Sequence, residues 1–261
     1  MIEALYGLYT IVVMGFLSLF FIGPYFGVVI IFYCSSYGVA MFFNFAAFVY
    51  KMCLFFLLLP ITYQGLENIP KESCIVIANH ESSLDIFLVG RILGVRHHTW
   101  LAKEELWQYP VLASMLNCFA VPVSFAEKSE AMKKQVSVVA QAKKRLDAGS
   151  TVILFPEGGR FVDGSIHPFR SGFAVLAYLT GKPVVPIFIQ GAGKVLPPGK
   201  NFIQTRSSLK VIVGQPFICG KEESIDDFKQ RVFCWYCEMN ALHAVDHGIR
   251  VQDEARLSTV R

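Results

Sequence analysis

Hydrophobic and polar positions divide the chain at Pro60. Residues 4–22 form a nearly unbroken apolar run, Gly23-Pro24 interrupts it, and a second run extends from 25 to 59. Glu3 and Lys51 are the only charges before Pro60. A helix needs about 20 apolar residues to cross a hydrocarbon core about 30 Å thick. The pattern therefore predicts a membrane-embedded anchor over 1–60, either one or two spanning helices or a hairpin dipping into one leaflet. A cleaved signal peptide does not fit, because no basic residues precede the run and it is far too long. Helices this uniformly apolar also lack the polar face that the surface of a soluble domain requires.

Beyond Pro60 the apolar residues come in short blocks. Cys74–Ala78, Thr151–Phe155, Pro183–Gln190 and Leu209–Val213 read as strands, with a short strand and turn over 62–70 and further strands over 96–102 and 119–125. Pro122 restricts the last of these to a sheet edge or a bulge. Helical spacing predicts helices from Ser82 or Ser83 as N-cap to Leu93, over 129–147 with Ser129 as cap, over 171–180, and over 224–243. Ser224-Ile-Asp-Asp227 reads as a capping box for the last helix. Lys103–Pro110 opens a helical or looped segment. Strands alternating with helices predict an α/β domain over 61–249, with a mixed, largely parallel sheet flanked by helices. Residues 250–261 read as a polar tail.

Composition sharpens this picture. Hydrophobic residues make up 54% of the chain and charged residues 17%, and the net charge of +4 belongs to the part after the anchor. That excess suits an anionic lipid or substrate. No basic stripe interleaved with aromatics points to nucleic acid. Seven scattered cysteines, at 34, 53, 74, 118, 219, 234 and 237, suit a reducing compartment and buried thiols. Cys234 and Cys237 make a lone C-x-x-C inside a helical pattern, read as packing. His243 and His247 lack a third ligand and read as helix surface, so no metal site is expected. The basic residues of 129–147 read as a solvated face.

Candidate chemistry starts at Asn79-His80-Glu81-Ser82-Ser83-Leu84-Asp85, directly after the strand at 74–78. Five residues along a continuous helix would set two side chains well apart in azimuth. His80 must therefore lie in the turn before the helix, with Asp85 in its first turn reaching back. An imidazole oriented by a carboxylate is a general base for a hydroxyl. With no G-x-S-x-G in the chain, that hydroxyl belongs to the substrate. Phe155-Pro-Glu-Gly-Gly-Arg160 follows another buried strand. Its glycines let backbone N–H groups approach an anion, and Arg160 can bind phosphate bidentately.

N-H-x-x-x-x-D followed by F-P-E-G-x-R resembles the glycerolipid acyltransferases, and most of all the 1-acyl-sn-glycerol-3-phosphate acyltransferases. The likeness runs from about residue 62 to 216. It takes in Lys103 with Glu105-Leu106 and Pro110, Asp163-Gly164 with Pro168-Phe169-Arg170-Ser171-Gly172, Val185-Pro186-Ile187, and Val195-Leu196-Pro197-Pro198-Gly199. The resemblance implies transfer of an acyl group from acyl-CoA or acyl carrier protein to the sn-2 hydroxyl of lysophosphatidate, with no cofactor. It implies a membrane location with the catalytic domain on the cytoplasmic face. His80 and Asp85 would be the catalytic pair. Glu157 would organise its loop or contact the glycerol, with Gly158 beside it, and Arg160, Lys103 and Lys128 would meet the phosphate. Two departures stand out. The family's second block ends in Asp-Arg where this chain has Ser124-Phe125, and Gly159 replaces the usual threonine. Another lysophospholipid or glycerol 3-phosphate as acceptor, a lipid hydrolase, and a non-catalytic lipid-binding module remain as alternatives.

Overall fold

The computed structural model describes residues 2–17, 36–124, 128–161, 163–200 and 202–245. Two helices, α1 (Ile2–Leu17) and α2 (Ser36–Phe56), come first. Among the described residues, seven strands then build one sheet: β1 (Ile61–Gln64), β2 (Ile75–Ala78), β3 (His98–Lys103), β4 (Ala120–Val123), β5 (Thr151–Leu154), β6 (Val184–Gln190) and β7 (Leu209–Val213). Their spatial order is β1-β7-β6-β2-β5-β3-β4. The five strands from β6 to β4 run parallel, β7 is antiparallel to β6, and β1 is parallel to β7. The mixed, largely parallel sheet expected from the sequence is thus present. Pro122 lies on β4, an edge strand.

The central strands are apolar throughout because both faces of the sheet are covered. Side chains alternate along β2. Val76 and Ala78 meet a layer containing Leu84, Leu88 and Val89, whereas Ile75 and Ile77 meet one containing Leu146, Phe173, Phe228 and Tyr236. The first layer is carried by α3 (Asp85–Leu93) together with the inner faces of α1 and α2. The second is carried by α5 (Lys128–Asp147), α6 (Gly172–Thr180) and α8 (Ile225–Val245).

Helices α1 and α2 are therefore not detached from the domain. Leu54 and Leu57 are buried in its core, and Gly90 on α3 leaves room for the Tyr50 ring, which would lie 2.5 Å from an added Cβ. Their outer faces stay apolar: Leu5, Leu8, Val12 and Phe55 are each about 60% exposed. Gly38–Phe56 is long and apolar enough to cross a membrane.

Several local expectations shift. The helical or looped segment opened by Lys103–Pro110 is a 3-10 turn over Glu104–Gln108 followed by a helix, α4 (Pro110–Phe119). Pro110 occupies its first turn, where no N–H is missed, and β4 shortens accordingly. Neither Ser82 nor Ser83 caps α3, which begins at Asp85. Ser129 lies one residue inside α5. The capping box at α8 is present, since Ser224 Oγ accepts the Asp227 N–H at 3.1 Å. Cys53 and Cys74 are buried, but Cys234 and Cys237 lie exposed on α8 rather than packed, because they fall on its solvent side. Cys34, His247 and the tail lie outside the described residues, as does the His243 side chain.

Candidate active site

Parallel strands bring the chemistry to one edge of the sheet. β2, β3, β4 and β5 all end there, so His80, Lys103, Ser124 and the 155–160 loop share that edge. Crevices at the carboxyl ends of parallel strands are the usual ligand sites of such sheets.

Asn79 fixes where the His80 turn begins. It is 1% exposed, and its side-chain amide both donates to Ile189 O (2.8 Å) and accepts from Ile189 N (2.7 Å). The amide thereby adds a rung beyond the β2–β6 ladder. Only a group with both a donor and an acceptor can do this.

His80 Nδ1 lies 2.8 Å from Asp85 Oδ2, as the spacing predicted. The carboxylate accepts, so in the neutral ring Nδ1 carries the hydrogen and Nε2 keeps its lone pair. The same Oδ2 accepts the N–H groups of Glu81 and Ser82, each at 2.8 Å, which wraps the turn around one oxygen. Complete burial pushes the Asp85 carboxyl up, against the pull of the His80 ring and the two N–H groups. The His80 ring lies flat on Phe155, with centroids 3.8 Å apart.

Glu157 joins the two motifs. Its Oε1 accepts the His80 N–H (3.0 Å) and its Oε2 accepts the His167 N–H (3.1 Å). Burial pushes its carboxyl up, and those two N–H groups oppose this. Both oxygens serve the backbone, which is the loop-organising half of the role expected for it. Gly158 takes φ +72°, and an added Cβ would strike Arg170 Nε at 2.5 Å. Its N–H donates to Phe155 O (3.1 Å), so it does not face the site. Arg160 Nη1 donates to Ser83 Oγ (2.7 Å), which places a guanidinium in the His80 turn.

The turn is also clasped from the β6 side. Glu81 Oε2 accepts the Gly193 N–H at 3.2 Å, and Ser82 Oγ donates to Leu196 O at 2.7 Å. Gly193 belongs to α7 (Ala192–Val195). Burial pushes the Glu81 carboxyl up to about 7, with Asp85 and Glu157 adding to the rise.

Of the residues singled out in the sequence, His80, Asp85, Glu157, Gly158 and Arg160 meet in one place. Lys103 ends β3 on the same edge, and Lys128 opens α5 just after β4, its side chain outside the described residues. Asn79, Glu81, Ser83, Phe155 and His167 had no assigned role. Their partners lie far off in sequence, and the first four, but not His167, stood inside a recognised motif.

The arrangement agrees with what the chain resembles. The acyltransferase family model matches residues 60–190, half of the chain. The chain belongs to the acyltransferase family. Among its relatives is a chloroplast 1-acyl-sn-glycerol-3-phosphate acyltransferase of Brassica napus, 32% identical over 63% of this chain and 47% of the relative. A 1-acyl-sn-glycerol-3-phosphate acyltransferase of Pseudomonas aeruginosa is 27% identical over 68% of each chain. This acyltransferase chain spans about half the length of several curated relatives it matches. The fold is shared with the crystal structure of the 1-acyl-sn-glycerophosphate acyltransferase from Thermotoga maritima. The TM-score is 0.74 at 24% identity, over 92% of this chain and 96% of that one.

Proposed function

We propose that this acyltransferase moves a fatty acyl group from acyl-CoA or acyl carrier protein to the sn-2 hydroxyl of 1-acyl-sn-glycerol 3-phosphate at a membrane surface, giving phosphatidate. The observation that carries the reading is the His80–Asp85 pair, with Nε2 left as the basic nitrogen and Arg160 held in the same turn. Nε2 removes the hydroxyl proton as the oxygen attacks the thioester carbonyl. The tetrahedral oxyanion takes a backbone N–H of the 158–160 loop, and with Gly158 N–H engaged elsewhere, Gly159 N–H is the candidate. Collapse breaks the carbon–sulfur bond, and the thiolate leaves with the proton from Nε2. Arg160, with Lys103 and Lys128, meets the acceptor's phosphate. The exposed apolar faces of α1 and α2 sit in the bilayer, with the catalytic domain on its cytoplasmic side, so the lysolipid enters from the membrane.

Ser124-Phe125, where the family carries Asp-Arg, supports a second reading in which the acceptor is another lysophospholipid or glycerol 3-phosphate. Acyl transfer is measured in membranes with each acceptor and with both donors. Phosphatidate from lysophosphatidate is the expected product. Free fatty acid without any diacyl product would replace the transferase with a hydrolase.

A further inference from the structure

A second histidine–aspartate pair lies beside the first. His167 Nε2 is 2.9 Å from Asp163 Oδ2, and Asp163 Oδ1 accepts the Ser165 N–H at 3.0 Å. The His167 ring stacks on Phe161, with centroids 3.7 Å apart and planes 14° apart. Phe161 also covers Gly159, where an added Cβ would sit 3.2 Å from its ring. The Phe161 N–H donates to His80 O at 3.1 Å. Both chain neighbours of Arg160 are therefore held by one aromatic ring, and that ring is held by His167. The backbone N–H of His167 reaches Glu157, the same carboxylate that takes the His80 N–H.

The Arg160 guanidinium itself has an exposed hydrogen bond to Ser83. A single hydrogen bond open to water does not by itself fix a long side chain. Its aim depends on the backbone beneath it.

We propose that His167 and Asp163 are positioning residues: they lock Phe161 over Gly159, so that Arg160 points at the acceptor's phosphate. This rests on the acyl-transfer reading and on Arg160 as the phosphate partner. The pair acts on recognition rather than on proton transfer, because neither residue touches the His80 ring.

The test uses the full chain in membranes, with lysophosphatidate and monoacylglycerol as paired acceptors. His167→Ala should raise KM for lysophosphatidate by about tenfold, roughly the loss of one charge-assisted contact, with kcat little changed. Its preference for lysophosphatidate over monoacylglycerol should fall by the same factor. His167→Phe keeps the stack on Phe161 but not the bond to Asp163, and should recover part of the loss, which a general folding defect would not allow. The inference is overturned if His167→Ala retains the wild-type preference, if it lowers kcat at unchanged KM, or if His167→Phe behaves like His167→Ala. A wild-type chain that ignores the acceptor's phosphate would overturn the function reading itself, and this inference with it.

Discussion

The His80 imidazole lies flat against the Phe155 ring, 9° from parallel, so the last residue before one motif's Pro-Glu pair is the floor under the other motif's base. Asp85 fixes one edge of the imidazole and Phe155 fixes its plane. Phe155→Ala removes the plane and leaves the hydrogen bond. We expect kcat to fall roughly tenfold with KM nearly unchanged, well short of the roughly 10²–10⁴-fold loss for His80→Ala. Steady-state kinetics of the two variants checks the order. Equal losses would mean that Phe155 does more than orient the ring.

Glu157→Gln tests the brace between the motifs. Both oxygens of Glu157 accept backbone N–H groups. A glutamine offers one acceptor and turns an NH₂ toward the other donor, leaving it unpaired at a site 7% exposed. The expected cost is about 1–3 kcal/mol of stability, with activity falling as the His80 turn loosens. Thermal melting with parallel kinetics reads both.

Glu81 sets a pH dependence near neutrality. Its carboxyl, raised to about 7 by burial, binds a proton more tightly in the folded chain than in the unfolded one. Its contribution to stability is therefore present at low pH and lost as pH rises through 7. Glu81→Gln keeps an acceptor for the Gly193 N–H and removes the charge. We expect the variant to lose less stability than wild type between pH 6 and 8. Melting curves at the two pH values that shift in parallel would contradict this.

His98 works at lower pH. Its Nδ1–H donates to Arg96 O at 2.8 Å and its Nε2 lies 3.4 Å from the Tyr50 hydroxyl, so it is held neutral. Burial pulls its pKa down to about 4, with His97 contributing and the Arg96 carbonyl opposing. The unfolded chain binds the proton first as pH drops below about 6.5. Stability should accordingly fall by roughly 2 kcal/mol between pH 7 and 5. His98→Gln, which cannot titrate, should show a smaller acid slope in a pH series of melts.

Gly90→Ala reverses a normal rule. Alanine gains up to about 1 kcal/mol over glycine inside a helix. Here its Cβ would meet the Tyr50 ring at 2.5 Å, and overpacking of this kind costs about 1–3 kcal/mol. A net drop in melting temperature is expected, along with looser docking of α2 on α3. A stabilised variant would show that the two helices part easily.

The sequence made some of this legible because the information was local. Short apolar runs rich in β-branched residues and bounded by turn residues read as strands covered on both faces, which revealed β2, β5 and β6. The offset between His80 and Asp85 is short enough for helix geometry to decide how they meet. Other features depend on residues distant in the chain. Glu157 finds His80 across 77 residues, Asn79 finds Ile189 across 110, and Glu81 finds Gly193 across 112. Nothing in their neighbours' polarity marks those partners. Helix α4 is short and starts at a proline that reads equally well as the end of a loop, which left that segment open between helix and loop. Ser82 is not the N-cap because its turn closes ahead of the helix: its Oγ accepts the Leu84 N–H and donates to Leu196 O, while the Asp85 carboxylate takes the N–H groups of Glu81 and Ser82.

The sheet ends in strands of four residues on both sides, β1 and β4, and β4 spends one of its four positions on Pro122. An open edge is a template on which another chain can pair. A protein this rich in apolar residues runs a constant risk of sticking to its own copies before the core closes. Two stubby borders, one of them missing a donor, give a stray strand little to grip, and they steer self-association away from fibre-like growth.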